Sequence, residues 1–490
     1  MQNYAKFIKD TGVSGFVQII VRLKGIILLP ILTKTLGAEA YGVWSQILIT
    51  VSFVSPFILW GLPEAFTRFI PGTKELSHIR DQIWSVFIFI LIPAIGISII
   101  FSVYHNSIAT LLKIPDSLVI LLGLLILFKS LNTSLLAVFH AFGEIVRFAC
   151  FEFAITFGEL VLVIGSIFLG LGITGAITSL LLIQIGTFLV ASIIVFRKIG
   201  FAIPHFSRLR EYLHFSIPSV FGSFSYKIVQ ASDRYIIAGF WGVLFVGYYM
   251  PAYALGNTLN ILIISLVFVL QPTVTKLFAA NKLVESKRYL SYSLKYLLLV
   301  SIPSVFGLTI LASPLLTIFS TEEIARNASS IVSLVALSLF LYNTSTIFSQ
   351  VLLLYKKTRI LGSIWIGSAV INFMLNMLFI PTFGITGAAI TTLISYFFAF
   401  ALIWYFANRF FPFPIDWKFI FKSTLASLLM AGIVFLLHPK ELWSTLFAIT
   451  VGIVSYTILI LLFKGITKKE ITFFLSFLKQ RNSARLLKEE

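Results

Sequence analysis

The pentapeptide Gly-Ile-Thr-Gly-Ala occurs twice in this chain, at residues 172–176 and again at residues 384–388. Each copy opens a long apolar run. Two shorter correspondences flank it, namely Asn-Thr-Ser at 132–134 and 343–345, and Tyr-Gly-Val-Trp at 41–44, which matches Val-Gly-Tyr-Tyr at 246–249. The offsets between the copies rise slowly, from 205 to 212. A duplicated unit with small insertions explains this pattern better than chance does.

The duplication divides the chain into four segments. We predict a first lobe over residues 1–205, a second lobe over residues 206–410 and an additional helix pair over residues 411–466, which has no counterpart. The remaining residues, 467–490, alternate phenylalanines with Lys and Arg. This alternation is typical of an amphipathic helix at a membrane surface, and we expect a cytoplasmic tail of that kind.

Composition places the chain in the membrane. Of its 490 residues, 58% are hydrophobic and only 11% are charged, which is too apolar for a soluble domain of this size. Apolar runs of spanning length lie near 13–36, 41–66, 82–104, 117–140, 148–170, 173–196, 213–238, 243–270, 291–313, 329–354, 360–380, 385–407, 418–437 and 443–463. We therefore predict an all-α polytopic protein of about 14 transmembrane helices. Six helices per repeat make the two repeats parallel, and two extra helices follow.

The basic residues indicate the orientation. The net charge is +18, and 27 of the 37 Lys and Arg residues fall on one side of the predicted spans, against four on the other. Because short cytoplasmic loops are enriched in Lys and Arg, both termini are expected in the cytoplasm. The positive charge is then a topology signal and a contact with anionic lipid, and no nucleic-acid partner is expected.

Motifs of soluble enzymes are absent or misplaced. The pattern Gly170-x-Gly172-x-x-Gly175 matches a dinucleotide fingerprint, but it opens a membrane span instead of following a strand. No phosphate-binding P-loop occurs, the aspartates are scattered, and the single cysteine, Cys150, lies in an apolar run. We predict that the chain is not an enzyme and carries no metal or cofactor.

Charged residues within the predicted spans are the functional candidates. The first span holds Arg22 and Lys24, and the seventh holds Lys227, Asp233 and Arg234. The 205-residue offset aligns Arg22 with Lys227. An ionised side chain inside a bilayer is costly and faces a protein interior or a water-filled cavity. Mutual pairing is the alternative reading, although the cations outnumber the acid here.

The fourth and fifth spans add further polar groups. Lys129 and Asn132 share a face of the fourth span, whereas Glu152 and Glu159 lie on one stripe of the fifth. A structural ion pair between Lys129 and Glu159 is one reading. The alternative is that Glu152 or Glu159 exchanges a proton or a sodium ion.

These features resemble the polysaccharide transporter family of the multidrug/oligosaccharidyl-lipid/polysaccharide exporter superfamily. The resemblance rests on Leu36-Gly37-x-x-x-Tyr41-Gly42, Ser232-Asp233-Arg234-Tyr235-Ile236-Ile237 and the duplicated pentapeptide, in this order, over nearly the whole chain. It implies a V-shaped pair of lobes around a cationic cavity, with a last helix pair that hosts a lipid tail. Related lipid II flippases are similar in using first-span and seventh- or eighth-span arginines, a role that only Arg22 and the Asp233-Arg234 pair match here.

The resemblance implies a flippase that moves undecaprenyl-diphosphate-linked oligosaccharide repeat units from the cytoplasmic to the outer leaflet, by alternating access. The product would be O-antigen or capsule. The protein would be located in the bacterial cytoplasmic (inner) membrane. A diphosphate leaving water needs fixed cations, to which Arg is well suited. The predicted substrate-binding residues are Arg22, Lys24, Lys129, Lys227, Asp233 and Arg234 for the charged group, and Gln18, Asn132, Gln230 and Asn343 for the sugars.

Energy is expected from an H⁺ or Na⁺ gradient, the membrane potential or product removal. Expected partners are the lipid-linked oligosaccharide, membrane lipids, a polysaccharide polymerase and a chain-length regulator. A cation-coupled multidrug exporter of the same superfamily is a second hypothesis, against which the extra helix pair and the cationic interior count. A membrane polysaccharide polymerase or glycosyltransferase is a third, but the sequence lacks the large outer loop or acidic metal site that such enzymes usually need.

Overall fold

A computed structural model describes residues 2–70, 75–206 and 208–465. These ranges form α-helices and contain no β-strand. The helices are α1 Gln2–Leu59, α2 Leu62–Phe69, α3 Leu76–Val103, α4 His105–Leu112, α5 Asp116–Ala141, α6 Ile145–Phe168, α7 Gly172–Ile199, α8 Leu209–Trp241, α9 Val243–Gly256, α10 Asn260–Ala279, α11 Leu283–Ile310, α12 Ala312–Phe319, α13 Glu322–Leu354, α14 Thr358–Phe410, α15 Trp417–Leu436 and α16 Leu442–Leu462. The all-α prediction is confirmed. The predicted tail over 467–490 lies outside the described residues.

Membrane-spanning helices dominate this architecture. Within the described ranges, ten helices are long and apolar enough to cross a bilayer, so the prediction of a multi-pass membrane protein is confirmed. Helix α14 has 53 residues, a length of roughly 80 Å if straight, whereas the hydrocarbon core is only about 30 Å thick. It accordingly covers two of the predicted spans. The total of fourteen spans stays a prediction.

Glycines of the repeat break the helices at corresponding positions. Gly37 inside α1 (φ 83°, ψ 178°) and Gly242 after α8 (φ 86°, ψ 168°) have almost the same conformation. The first glycine of the pentapeptide also has positive φ in both copies, at Gly172 (61°) and Gly384 (57°). Glycine reaches this region without a steric penalty. The shared conformations explain why the repeat is recognisable at its glycines.

The described contacts define two compact units, of which the first comprises Met1–Ala254, Phe319–Ile331 and Trp365–Ser395. Helix α5 is at the centre of its core, packed against α3, α6 and α7 as well as α1. Its residues Leu118, Leu122 and Ile126 are fully buried. An apolar helix packed against several neighbours buries most of its surface in the core, and α5 therefore supports the positions of these helices.

Helices α1 and α9 cross in this first unit at two glycines that are related by the repeat. A Cβ atom added to Gly42 would overlap the carbonyl oxygen of Val243, and one added to Gly247 would overlap the carbonyl oxygen of Ala38. Both pairs of equivalent residues are 205 positions apart, so the contact is symmetric. Small residues allow membrane helices to approach this closely.

The second unit comprises Leu255–Ile318, Val332–Ile364 and Tyr396–Glu490. In it, α15 packs between α11 and α16. The Tyr456 hydroxyl of α16 donates to the carbonyl oxygen of Leu299 on α11 (2.9 Å) and lies 2.8 Å from the Ser423 hydroxyl of α15. The additional helix pair is thus joined to α11 by polar contacts. The lobe boundaries at 205 and 410 remain predictions from the sequence.

Candidate functional site

Asp233 and Arg234 lie at the centre of the strongest candidate site, on α8. Asp233 is 1% exposed. Its Oδ2 accepts a hydrogen bond from the Tyr249 hydroxyl (2.7 Å), and its Oδ1 accepts one from the backbone N–H of Arg234 (2.8 Å). The carboxylate attracts the neighbouring guanidinium electrostatically, but its oxygens point to these other donors. The described contacts therefore do not form the simple ion pair that was the alternative reading for these two residues.

The Arg234 side chain is buried, and no carboxylate of the described residues accepts a hydrogen bond from its guanidinium. It is 8% exposed, and its guanidinium lies over the ring of Tyr253, 4.8 Å from the centroid. Its Nε has no hydrogen-bond partner among the described residues. The ring face stabilises a cation, and the buried Nε–H is a donor without an acceptor among the described residues. The site therefore offers positive charge and a hydrogen-bond donor.

Lys227 lies two helical turns before Arg234, on the same stripe of α8. Its Nζ donates to the carbonyl oxygen of Ser52 on α1 (3.2 Å), and it interacts electrostatically with Glu64 on α2. The side chains of Arg22 and Gln230 lie outside the described part of the structure. The expectation that Arg22 and Lys227 face each other therefore stays a prediction.

A second polar network connects four helices of the first unit. Lys24 forms an ion pair with Glu159, which is buried on α6. Gln184 of α7 donates to the other carboxylate oxygen of Glu159 (3.1 Å), and Asn132 of α5 donates to the side-chain oxygen of Gln184 (2.8 Å). The predicted pair between Lys129 and Glu159 is thus wrong. Helix α6 packs more extensively on α1 than on α5, so the first-span lysine reaches the carboxylate.

The other predicted polar residues are less directly engaged. Asn343 is buried, and its amide donates to the carbonyl oxygen of Leu259 (3.3 Å). In the first lobe, Asn132 similarly donates to a backbone carbonyl oxygen, that of Gln184 (2.8 Å). Gln18 is exposed, whereas Glu152 is partly buried. Both asparagines use their amide nitrogen for contacts between helices, and their role toward sugars remains a prediction.

Sequence reasoning missed a cluster of buried polar residues beside Asp233. Ser232 donates to Asn372 Oδ1 (3.1 Å), Asn376 donates to the same oxygen (3.1 Å), and Thr391 donates to Asn376 Oδ1. The Asn372 amide nitrogen is buried without a partner among the described residues. Two asparagines at i and i+4 within a predicted membrane span are the sequence signal from which this cluster could have been found. It joins α8 to α14 within the first unit.

The described ranges contain no cluster of possible metal ligands. No three His, Cys, Asp or Glu residues within these ranges lie close enough together to hold an ion. Cys150 is exposed on α6. The chemistry that the site offers is therefore charge and hydrogen bonding, with Arg234 as its most buried cation.

Comparison with protein families gives two matches. The model described as "Polysaccharide biosynthesis protein" matches residues 7–278, and the MatE model matches residues 218–378. A curated relative, the "Probable low-salt glycan biosynthesis flippase Agl15" of Haloferax volcanii, is 25% identical over 267 residues. That alignment covers 54% of this chain and 56% of the relative, so the chain matches only just over half of that protein's length.

Solved structures share the fold. The lipid II flippase MurJ in an inward closed conformation superposes with a TM-score of 0.76 at 18% identity, over 92% of this chain and 98% of MurJ. An inward-facing multidrug resistance MATE family transporter of the MOP superfamily gives a TM-score of 0.64 at 15% identity, over 80% of this chain and 94% of the transporter. At these identities the similarity shows the architecture.

Proposed function

This chain belongs to the polysaccharide biosynthesis protein family, and we propose that it flips a lipid-linked oligosaccharide across a membrane without catalysing a chemical step. The proposed substrate is an undecaprenyl-diphosphate-linked repeat unit for O-antigen or capsule. It moves from the cytoplasmic to the outer leaflet of a bacterial cytoplasmic membrane, and the chain alternates between two open states. The glycan flippase relative and the family match support a lipid-linked glycan.

The observation that carries the substrate class is the buried guanidinium of Arg234. Burying a charge without a hydrogen-bonded counter-ion costs several kcal/mol, and the cost within a membrane span is retained where the charge has a function. The flat fork of N–H groups on Arg fits two phosphate oxygens at once. Asp233 accepts its hydrogen bond from Tyr249 and not from the Arg234 side chain. We propose that the oxygens of a diphosphate group accept from the guanidinium instead.

Lys24 and Lys227 are proposed as secondary cations for the same anion. Each is held by an oxygen partner in this state, Lys24 by Glu159 and Lys227 by the carbonyl oxygen of Ser52. A phosphate group must replace those partners to bind. Among the described residues, no oxygen atom accepts a hydrogen bond from the Arg234 Nε. Arg234 therefore binds the anion first in this proposal.

Coupling to an ion gradient is proposed at Glu159. When a phosphate takes Lys24, the buried carboxylate loses its counter-ion and requires a proton or Na⁺ in its place. Glu152 is the second candidate. A polysaccharide polymerase and a chain-length regulator are the proposed partners, because they would consume the flipped unit and drain it from the outer leaflet.

A cation-coupled multidrug exporter is the second candidate function. The MatE match over residues 218–378 and the MATE transporter fold favour it. The buried Arg234 counts against cationic drugs, since a fixed positive charge repels a positive ligand. The two functions therefore differ in the sign of the charge that they transport.

Complementation of a strain without its own flippase tests the proposal. Arg234→Ala is expected to abolish surface polysaccharide, because losing one cation from a dehydrated anion site costs about 2–5 kcal/mol. The control is Arg326→Ala, which removes an exposed arginine that pairs with Glu322. Membrane abundance is measured in parallel. Full surface polysaccharide in the Arg234→Ala strain, or drug resistance that depends on Arg234, would contradict the proposal.

A further inference from the structure

Two turns of the molecule share one backbone conformation. Gly143, after α5, has φ 69°, and Lys356, after α13, has φ 54°. In the first turn, Gly143 and Glu144 donate their N–H groups to carbonyl oxygens three and five positions back, and Lys356 and Lys357 do the same in the second. The two turns are 213 residues apart. Position 143 therefore corresponds to 356, and position 144 to 357.

The charges at these turns are opposite. Glu144 forms ion pairs with Arg147 and Lys198, so the basic side chains at the first turn already share a carboxylate partner. The second turn carries Lys356, Lys357 and Arg359, all exposed. Among the described residues, none of these three makes an ion pair.

Lys356 also occupies an unfavourable backbone position. Its φ of 54° lies in the left-handed region, where a Cβ atom costs roughly 1–2 kcal/mol and glycine does not. The first turn has glycine at the corresponding position. The second turn therefore has a lysine at a strained backbone position where the first turn has glycine.

Aromatic rings surround the second turn. Tyr355 lies 5.2 Å from Phe278 and 5.8 Å from Phe410, centroid to centroid. Lys357 lies over the ring of Phe410 (5.3 Å), and the neighbouring Arg409 is exposed. Aromatic rings with Lys and Arg beside them are typical of the level of the lipid headgroups. The turn is thus placed where phospholipid phosphates lie.

We propose that Lys356, Lys357 and Arg359, the basic turn, bind the phosphate headgroup of an anionic phospholipid. Basic clusters that flank membrane helices attract such headgroups. The basic turn has no internal carboxylate to displace, unlike its counterpart at Glu144.

This binding is separate from transport. The ligand is a membrane lipid and not the transported glycan, and the basic turn belongs to the second unit, whereas Arg234 belongs to the first. A failure of the flippase proposal leaves the lipid proposal intact, and the reverse also holds.

A titration of the detergent-purified full chain with short-chain phosphatidylglycerol tests the proposal, with phosphatidylcholine as the neutral lipid. Thermal stabilisation gives the apparent affinity. In the triple variant Lys356→Gln, Lys357→Gln, Arg359→Gln, we expect at least tenfold weaker binding of phosphatidylglycerol. The side chains are exposed, and the single variant Lys357→Gln, with an expected loss of severalfold, serves if the triple variant does not fold.

The matched control removes the same charge from the first unit, as Arg197→Gln, Arg208→Gln, Arg210→Gln. We expect this control to bind phosphatidylglycerol within twofold of the wild type, and Lys356→Arg with Lys357→Arg to retain binding. Equal losses in the two triple variants would overturn the site. Inorganic pyrophosphate stabilising the wild type as strongly as phosphatidylglycerol, through the same three residues, would assign the turn to the transported diphosphate and overturn the lipid proposal.

Discussion

Lys24 on α1 and Arg234 on α8 are both cations of the first unit, on helices that we predict to span the membrane, but their surroundings differ. Lys24 is paired with Glu159, which Gln184 in turn holds. Arg234 lies over an aromatic ring, and the nearest carboxylate directs its oxygens elsewhere. One duplicated framework thus supports two uses of buried charge in this state. Lys24, paired with Glu159, connects helices, whereas Arg234 can bind a ligand without leaving a carboxylate among its described contacts.

The largest expected effect on stability follows from removing one partner of the paired site. Lys24→Met leaves the buried Glu159 carboxylate without its counter-ion, a loss that costs about 3–5 kcal/mol for a fully buried pair. The Lys24 side chain is 30% exposed, so solvent screening reduces our expectation to about 2–3 kcal/mol. Arg234→Met should cost less than 1 kcal/mol, because no hydrogen-bonded anion is left behind. Thermal unfolding in detergent measures both.

The double variant Lys24→Met, Glu159→Leu controls this prediction. It removes both charges, and we expect it to recover most of the stability. If Lys24→Met and Arg234→Met lowered the unfolding temperature equally, the contrast between a paired and an unpaired cation would be wrong.

An intermediate loss of stability is expected at the contact between α1 and α9, where the two repeats have equivalent glycines. Gly42→Ala and Gly247→Ala each place a Cβ atom against a carbonyl oxygen of the opposite helix, and forcing extra atoms into a packed site typically costs about 1–3 kcal/mol. Because the contact is symmetric, the two variants should agree within about 0.5 kcal/mol. Thermal unfolding is again the measurement.

Gly239→Ala, also within a helix, is the control for the glycine contacts. A Cβ atom at Gly239 meets no atom within 4 Å, and we expect no loss of stability from it. Unequal losses at Gly42 and Gly247 would show that the symmetry of the backbone does not extend to the energetics.

The smallest effect on stability is expected for Glu144, in the turn that corresponds to the basic turn. Burial raises the pKa of Glu144, but the hydrogen bond and charge of Lys198, together with Arg147, outweigh it and lower the pKa below its ordinary value of 4.5. The ion pairs therefore stabilise the fold fully above pH 4.5, and this contribution is lost as the pH falls through the lowered pKa. The partners are largely exposed, so we expect about 0.5–1 kcal/mol.

Thermal unfolding of the wild type and of Glu144→Gln between pH 7 and pH 3.5 measures this contribution. The two curves should differ at pH 7 and converge in acid. A constant difference across this range would show that Glu144 acts through its shape and not through its charge. Lys357→Gln at the corresponding turn should show no such convergence.

Local patterns of the sequence predicted the fold well. Apolar runs predicted the helices, and the duplicated glycines marked positions that have matching dihedral angles in both copies. The partner of Glu159 was predicted wrongly, because adjacency along the chain favoured the fourth span and only the packing of α6 on α1 shows otherwise. The cluster around Asn372 was missed, since uncharged amides in a span carry no charge signal. That the oxygens of Asp233 accept from Tyr249 and from a backbone N–H depends on side-chain directions, which no spacing encodes.

The most direct test of the central claim is the affinity of the purified chain for an undecaprenyl-diphosphate-linked oligosaccharide, with and without the Arg234 charge. For Arg234→Gln we predict at least thirtyfold weaker binding, which is about 2 kcal/mol, with an unfolding temperature close to that of the wild type. Arg234→Lys should recover part of the affinity, because it restores the charge without the planar fork. Unchanged affinity in Arg234→Gln would contradict the claim that this arginine binds the diphosphate.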